Sequence, residues 1–271
     1  MEKKLTLDEI KRYSIEILDD IQNVCSKLNL TYFLDSGTLL GAIRHNGFIP
    51  WDDDLDISMP RPDYEIFIKQ YNKYCNPKFR IKSIEIDSEY GFPYAKVYNT
   101  ETLLYENGVN PFGLGLSVDI FAIDGYPDNI VERQDHYNHV IKYFNHYARI
   151  EALAESQYKT NYKFLIKNIK ILFARKFLRK KAAKKVIKNS TKYSYEKTNY
   201  AGLNVCIYYH PKDRWVSKEC WKPIKHIFEN KYYFIPKGYD AVLKSYYGDN
   251  YMTPPPEDKR ISTHGLEIYK K

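Results

Sequence analysis

The segment Trp51-Asp-Asp-Asp-Leu-Asp-Ile57 combines four carboxylates with the beginning of a strand-like pattern. Polar and apolar residues alternate from residue 54 to residue 59, which is typical of a half-buried strand. Because successive side chains of a strand point to opposite faces, alternation would place Asp52, Asp54 and Asp56 on one face. The sequence therefore predicts three aligned carboxylates above an apolar floor.

Carboxylates aligned in this way repel one another when they are partly buried. Two unit charges about 7 Å apart repel by about 2 kcal/mol at an effective dielectric constant of about 20, and a divalent cation would remove that cost. Oxygen ligands without an adjacent His or Cys favour Mg²⁺ or Mn²⁺ over zinc. A solvated acidic loop that binds no metal is the alternative.

A further carboxylate lies within an apolar run, Leu116-Ser-Val-Asp-Ile-Phe-Ala-Ile123, which is the clearest strand later in the chain. An unpaired charge is costly in such a strand, so Asp119 needs a partner. Either it is a third metal ligand from a neighbouring strand, or it is a core aspartate that pairs with an Arg or Lys.

The surrounding pattern predicts an α+β fold. Thr6 and Glu9 form a capping box for an amphipathic first helix that ends near Asn29. Several short strands are expected up to about residue 125, and the chain becomes largely helical after that point. We therefore expect a catalytic core over residues 1–125, completed by a helical, basic region and an aromatic, Pro-rich segment over residues 126–271. The second part either continues the same domain or forms a separate one.

A turn precedes the acidic segment. Gly37 permits a sharp reversal after a short strand, and a helix is expected from Thr38 to Arg44. The predicted order is strand, turn and helix, followed by the acidic strand.

The composition indicates a globular protein, since 44% of its 271 residues are hydrophobic. Four widely spaced cysteines without a C-x-x-C pair argue against a disulfide framework and a structural zinc site. The chain opens without an apolar signal segment and contains no apolar run long enough to span a bilayer. We expect a cytoplasmic protein.

The segment from residue 33 to residue 57 reads Phe-Leu-Asp-Ser-Gly-Thr-Leu-Leu-Gly-Ala-Ile-Arg-His-Asn-Gly-Phe-Ile-Pro-Trp-Asp-Asp-Asp-Leu-Asp-Ile. It resembles the signature of the LicD and fukutin-related family. Val118-Asp-Ile-Phe121 and Tyr246-Tyr-Gly-Asp-Asn-Tyr-Met-Thr-Pro-Pro255 are also similar to that family. The resemblance covers most of the chain except its middle.

The resemblance implies a nucleotidyltransferase-like mixed sheet with flanking helices, to which this chain adds a helical, basic region. It matches Asp54 and Asp56 to paired metal ligands and Asp119 to a third carboxylate, which makes these three the implied catalytic residues. Asp52 is an additional candidate ligand for the metal. The implied cofactor is Mg²⁺ or Mn²⁺.

Candidate substrate-binding residues complete this set. The turn residues Gly37 and Thr38 match the Gly-Ser-type turn of nucleotidyltransferases, although Thr38 stands where many of them have Ser. Because the turn also lies farther from the carboxylates than in most of those enzymes, the fold alone does not imply nucleotidyl transfer. Candidate cations for the donor pyrophosphate and the rest of the site are Arg44, Lys96, Arg260 and His264.

The function implied by the resemblance is transfer of phosphocholine, or a related phospho-alcohol, from a CDP-linked donor to a sugar hydroxyl. The acceptor would be a cell-surface glycan precursor such as teichoic acid or lipopolysaccharide, and CMP would be released. Asp119 or a neighbouring carboxylate would accept the hydroxyl proton, and aromatic side chains would face the quaternary ammonium. The expected partners are CDP-choline or a similar CDP-alcohol and a lipid-linked glycan, and nucleic acid is not expected.

The net charge of +8 is concentrated in one segment, residues 159–197, which contains fourteen Lys and Arg against one acid. Helical spacing from residue 162 predicts an apolar face with lysines opposite, and the register fails beyond Arg175. The face consists of Tyr162, Leu165, Ile166, Ile169, Leu172 and Phe173, and the opposite lysines are Lys163, Lys167 and Lys170. A basic amphipathic helix is typical of proteins that lie on anionic membranes, here the inner face of the plasma membrane. The alternative is that the apolar face packs against the catalytic body.

Two other functions are compatible with the residues. A polymerase-like nucleotidyltransferase would use a nucleoside triphosphate on RNA or a small alcohol and would release pyrophosphate. A non-catalytic membrane-binding or nucleic-acid-binding protein would carry the carboxylates by coincidence and would fail to bind Mg²⁺ or Mn²⁺.

Overall fold

The structure is a computed structural model, and it describes residues 3–87, 89–106, 108, 110, 112–155, 165–205, 214–261 and 266–271. The first part of the chain contains β1 (Lys3–Lys4), α1 (Leu7–Leu28), β2 (Phe33–Leu34), α2 (Ser36–His45), β3 (Asp56–Pro60), α3 (Arg61–Tyr74), β4 (Phe79–Lys82), β5 (Ala95–Asn99), β6 (Thr102–Glu106) and β7 (Ser117–Tyr126). The second part contains α4 (Ile130–Glu155), α5 (Leu165–Phe173), α6 (Arg179–Ser190), β8 (Tyr200–Leu203), β9 (Trp215–Ser217), β10 (Pro223–Phe228), β11 (Lys231–Pro236), α7 (Tyr239–Tyr247) and β12 (Leu266–Lys270).

The central sheet has the strand order β2-β3-β7-β5-β4, and β8 and β9 extend it from β7. Strands β3 and β7 are parallel, whereas the other neighbours in this sheet are antiparallel. The first half of β7 pairs with β5 and its second half with β8, so the sheet continues across residue 125. This mixed sheet with flanking helices confirms the predicted α+β class.

Helix α1 begins as the capping box predicts. The backbone N–H of Glu9 donates to the Thr6 hydroxyl, and the Glu9 carboxylate accepts from the Thr6 N–H at 3.0 Å. Asn29 ends the helix in the left-handed conformation with φ of 53°. The apolar face of α1 packs against β7, β5 and α3, so the helix supports the strands that carry the central carboxylates.

Two smaller sheets complete the fold. Strand β12 lies between β1 and β6 and pairs with both in antiparallel orientation, so segments from the two ends of the described chain meet. Strands β10 and β11 form a hairpin, and β11 packs next to β2.

The basic region is helical, and its register changes where the sequence predicts a failure. A π-helical turn from Ala174 to Leu178 joins α5 to α6. A π-turn contains more residues per turn than an α-helix. The face that carries the predicted apolar residues of α5 is therefore not continued in register in α6. Helix α6 packs on α4. The start of the predicted helix, residues 162–164, lies outside the described residues.

No helix among the residues placed by the structure is both long enough and apolar enough to cross a membrane.

Candidate active site

A cavity of about 550 Å³ lies among α2, the loop before β3, β5, β7 and α4. The charged and polar part of its lining includes Ser36, Asp52, Asp53, Asp54, Asp56, Lys96, Asp119, Arg214 and Tyr247, and Gly37 lies among them in the sequence. The apolar and aromatic part includes Phe92, Tyr94, Leu104, Phe112, Leu114, Leu116, Phe121 and Leu266. The cavity lining thus combines charged and aromatic side chains.

The register of the parallel strands brings two carboxylates together. Asp56 is the first residue of β3, and it lies directly beside Asp119 of β7. The Asp119 N–H donates to the carbonyl of Leu55 at 3.0 Å, which fixes this pairing at its end. The structure therefore gathers Asp52, Asp54, Asp56 and Asp119 in one cavity.

The predicted strand was too long at its start. Strand β3 begins at Asp56, so Asp52 and Asp54 lie in the preceding loop and not on a strand face. That loop turns tightly, because the Asp52 N–H donates to the carbonyl of Ile49 at 3.0 Å. The loop, and not strand alternation, brings these two carboxylates to the cavity. It also brings Asp53, which the sequence did not single out.

The carboxylates change the acidity of Asp56. Burial is the largest cause, and the negative charges of Asp54 and Asp119 add to it, so the pKa of Asp56 lies well above its ordinary value. Asp52 and Asp35 contribute in the same direction. A cation among these groups would favour their charged forms.

Lys96 supplies a positive charge to this group. It lies opposite Asp119 in the antiparallel pair of β5 and β7, and its Nζ is 2.5 Å from Asp119 Oδ1. Both side chains are mostly buried, with 15% and 19% exposed. The core ion pair that the sequence allowed for Asp119 is therefore present, and it lies within the cavity.

The acidic residue types fit a hard divalent cation, because the possible ligands among the carboxylates of the lining all offer oxygen atoms. Their charges raise the pKa of Asp56, which is the electrostatic cost that such a cation would remove. In the part of the chain that the structure describes, however, no three His, Cys, Asp or Glu side chains are already arranged around one metal position. Asp119, one of the predicted ligands, instead binds the ammonium of Lys96.

The turn residues have different positions relative to the cavity. Gly37 lines it, and a Cβ atom added there would lie 2.9 Å from Asp52 Oδ2. The absence of a side chain at Gly37 therefore allows the acidic loop to pack closely against α2. Thr38 is buried, and its hydroxyl accepts a hydrogen bond from the Asp56 N–H at 2.9 Å. Thr38 thus holds the backbone of Asp56 in position. Its predicted role in substrate binding stays a prediction.

Two of the predicted cations lie beside the cavity. Arg44 donates to the carbonyl of Tyr251 at 3.2 Å, and its pKa is lowered, first by burial and also by Arg260. Arg260 lies 5.7 Å from the ring centroid of Trp51. The described cavity lining contains Lys96 and Arg214 but neither of these arginines. The predicted His264 lies outside the described residues.

Sequence reasoning missed a buried polar group next to the carboxylates. Asp35 caps α2 by accepting from the Ser36 N–H at 2.7 Å, and burial raises its pKa. Arg214 is 5% exposed, lies 4.8 Å from the Tyr246 ring centroid and lines the cavity. No motif in the sequence marks Arg214. The N-cap position of Asp35 before a Gly-containing turn was a usable signal.

The aromatic side of the cavity was also missed. The rings of Phe92 and Tyr94 are stacked with centroids 5.3 Å apart, and Phe112 packs edge-on against Phe92 at 5.1 Å. A buried ion pair between Glu151 of α4 and Arg179 of α6 supports this wall. The Arg179 guanidinium lies 5.2 Å from the Phe92 centroid. Apart from the Phe92 and Tyr94 pair, these contacts join residues far apart in sequence, so spacing gave no indication of them.

These features agree with the predicted nucleotidyltransferase-like fold. The family model for LicD/FKTN/FKRP, nucleotidyltransferase domain, matches residues 29–149, which include α2, β3 and most of the cavity. The chain is 30% identical over 271 residues to the lipopolysaccharide cholinephosphotransferase LicD of Haemophilus influenzae, which covers 98% of this chain and 99% of the relative.

Two shorter matches involve uncharacterised proteins of Rickettsia. One, from Rickettsia prowazekii, is 30% identical over 134 residues, which is 46% of this chain and 47% of the relative. The other, from Rickettsia typhi, is 38% identical over 85 residues, which is 31% of this chain and 28% of the relative. The nearly full-length match to LicD at 30% identity shows that the chain belongs to the LicD and fukutin-related family.

Proposed function

We propose that the protein transfers phosphocholine, or a related phospho-alcohol, from a CDP-linked donor to a sugar hydroxyl and releases CMP. The observation that carries the proposal is the cavity, which joins convergent carboxylates to an aromatic wall. The nearly full-length similarity to a protein named as a cholinephosphotransferase supports the choice of transferred group.

The carboxylate side is suited to the reacting phosphates. Asp54, Asp56 and Asp119 would hold Mg²⁺ or Mn²⁺, with Asp52 beside them. When bound, such ions would neutralise the donor pyrophosphate and stabilise the charge that develops on the departing CMP. Lys96 is the predicted cation that lines the cavity and would contact the donor phosphates.

Asp119, or a carboxylate beside it, would accept the proton of the attacking sugar hydroxyl. Its position beside Asp56 on a parallel strand keeps it rigid, which favours general-base catalysis. Lys96 would need to shift from Asp119 Oδ1 for this role, and the flexible stem of a lysine permits such a movement.

The aromatic wall is suited to a quaternary ammonium. Cations within about 6 Å of a ring centroid are attracted by the ring face. The Lys96 ammonium lies 5.4 Å from the Phe92 centroid and 5.5 Å from the Tyr94 centroid, so these rings already face a cation. A trimethylammonium group would be attracted by the same rings once Lys96 moves to the donor phosphates.

The acceptor would be a sugar of a cell-surface glycan precursor such as lipopolysaccharide or teichoic acid, linked to a lipid on the cytoplasmic side of the membrane. This part of the proposal is supported by the name of the Haemophilus relative, which specifies lipopolysaccharide.

The test is a screen of CDP-choline, CDP-ribitol and CDP-glycerol with Mg²⁺ or Mn²⁺, in which CMP release is measured with and without candidate glycans. We expect CMP release that requires CDP-choline, the metal ion and a glycan. Pyrophosphate release from a nucleoside triphosphate would instead identify a nucleotidyltransferase. A folded protein that binds neither ion and releases no CMP would refute the proposal.

A further inference from the structure

The basic region exposes apolar side chains on one side. Ile169, Phe173 and Phe177 are 57%, 51% and 55% exposed, and they follow one another at intervals of four residues. The rings of Phe173 and Phe177 are 5.2 Å apart. We call these three residues the apolar stripe. Large apolar side chains grouped on a surface mark an interaction site more often than isolated ones do.

The stripe faces outward because the other side of the same helices is packed against the protein. Ile171 and Ala174 of this segment are fully buried, as are Ala183 and Val186 farther along. The alternative in which the apolar face covers the catalytic body is therefore wrong for Ile169 and Phe173. Burial of residues between the stripe positions fixes the helices with the stripe outward.

Lysines surround the end of the stripe. Together with Phe177, they line one shallow surface groove, and they are Lys180, Lys181, Lys184, Lys185 and Lys188. The sequence from residue 165 to residue 192 contains eleven Lys and Arg and no acid. An apolar stripe thus continues directly into a strongly positive surface.

We propose that the apolar stripe and these lysines form a docking surface for an anionic lipid bilayer. A bilayer offers apolar chains to the stripe and negative head groups to the lysines at the same boundary. A nucleic acid would pair with the lysines but would leave the stripe in water. Charge and exposure together therefore favour the lipid surface.

The contacts also relate this surface to the cavity. Arg179 lies between the stripe and the lysine groove, and its guanidinium pairs with Glu151, which lines the cavity wall. Docking would therefore hold the cavity at a fixed distance from the bilayer. The proposal does not depend on which reaction the cavity performs.

The experiment is flotation of the purified protein with vesicles of phosphatidylcholine alone or with about one third phosphatidylglycerol. We expect binding that requires the anionic lipid and weakens with salt. Replacement of Lys180, Lys181, Lys184 and Lys185 by Gln should lower the partition coefficient by up to about 1000-fold. Phe173→Ser combined with Phe177→Ser should lower it by about tenfold, because the charge is unchanged.

The matched control removes the same charge from exposed lysines elsewhere: Lys69, Lys73, Lys225 and Lys237, each replaced by Gln. We expect this variant to bind vesicles nearly as wild type does and all variants to melt within a few degrees of wild type. Equal vesicle binding by wild type and the lysine-groove variant would overturn the proposal. Binding to RNA that is tighter than to vesicles and unchanged by the Phe replacements would overturn it in favour of nucleic acid.

Discussion

Strand β7 carries two aspartates on its opposite faces, and they differ in burial and in the cation that binds them. Asp124 is 1% exposed, and the Arg61 guanidinium binds both of its oxygens, at 2.7 and 2.9 Å. Asp119 lies on the wall of the cavity, and its Oδ1 is paired with the flexible ammonium of Lys96. Both aspartates are ion-paired, but Asp119 lies beside Asp56 in a cavity lined by several carboxylates, whereas both oxygens of Asp124 are held by one guanidinium.

The difference separates a structural ion pair from a site that can rearrange. A planar guanidinium matches a carboxylate in two places and holds it rigidly, whereas a lysine ammonium is a point charge on a mobile stem. Asp124 is therefore suited to stability, and Asp119 is suited to exchange of its partner during binding. This comparison leads to five predictions.

The largest effect is expected from Asp54→Asn and Asp56→Asn, made separately. Each should lower transfer by about a thousandfold or more, because a charged ligand of the proposed metal site is lost. Thermal stability without metal should stay level or rise, since like-charge repulsion is relieved. Steady-state CMP release and thermal melting measure the two effects, with the exposed Asp135→Asn as control. Near-normal turnover by either variant would remove that residue from the site.

Asp119→Asn should reduce turnover to a similar degree, because the neighbouring strand then no longer supplies a charged ligand or a base. We expect the free energy of unfolding to fall by less than in Asp124→Asn, because loss of the Lys96 pair is partly offset by relief of the repulsion between Asp119 and Asp56. Urea unfolding and CMP release on the same preparation measure both quantities. A variant that is strongly destabilised but active would make Asp119 a structural residue.

Asp124→Asn should show the opposite pattern. Loss of the carboxylate leaves the Arg61 charge buried, so unfolding free energy should fall by about 3–5 kcal/mol. At a temperature where the variant is still folded, turnover should stay within a few-fold of wild type. An unchanged urea midpoint would contradict a structural role for this pair.

Lys96→Met should strengthen Mn²⁺ binding in the absence of donor by about tenfold, because the ammonium no longer competes for Asp119. Binding of CDP-choline should weaken in the same variant, since a phosphate ligand is lost. Free Mn²⁺ measured by electron paramagnetic resonance reports the first effect without any turnover. If wild type binds Mn²⁺ and the variant binds it equally well, the competition does not exist.

The smallest effect is a pH dependence of stability that comes from His136, near the Asp124 end of β7. His136 packs edge-on against Tyr126, and burial followed by the charge of Lys192 lowers its pKa to about 4. Its pKa in the unfolded chain is higher, near the ordinary 6.5. The unfolded state therefore binds the proton first, and stability should fall as the pH decreases from about 6.5 towards 4. Urea midpoints across this range should show a shallower slope for His136→Phe, and an identical slope would refute this account.

The sequence predicted those features of the fold that depend on interactions between residues close together in the chain. The capping box of Thr6 and Glu9 fixed the start of α1, and the lone acid in an apolar strand marked Asp119. The close spacing of the acidic residues also indicated that Asp52, Asp54 and Asp56 lie together. These features could be read because each depends on residues close together in the sequence.

The remainder depends on contacts between distant segments. Alternation placed Asp54 on a strand, but the tight turn before β3 left it in a loop. The pairing of Lys96 with Asp119 required the antiparallel register of β5 and β7, and the position of Arg214 required β9 to join the sheet. Spacing along the chain contains no information about such registers. The same reason explains why the ion pair of Glu151 and Arg179 was not predicted.

The small sheet of β1, β12 and β6 determines when the cavity is completed during synthesis of the chain. Leu266, the first residue of β12, lines the same cavity as Asp56, although most of the chain lies between them. A ribosome releases the acidic loop long before it releases β12, so the wall of the cavity is completed late in synthesis. Contacts of such long sequence separation also form slowly during folding. In a nascent chain that already holds its carboxylates, the cavity would therefore stay open until β12 has been synthesised.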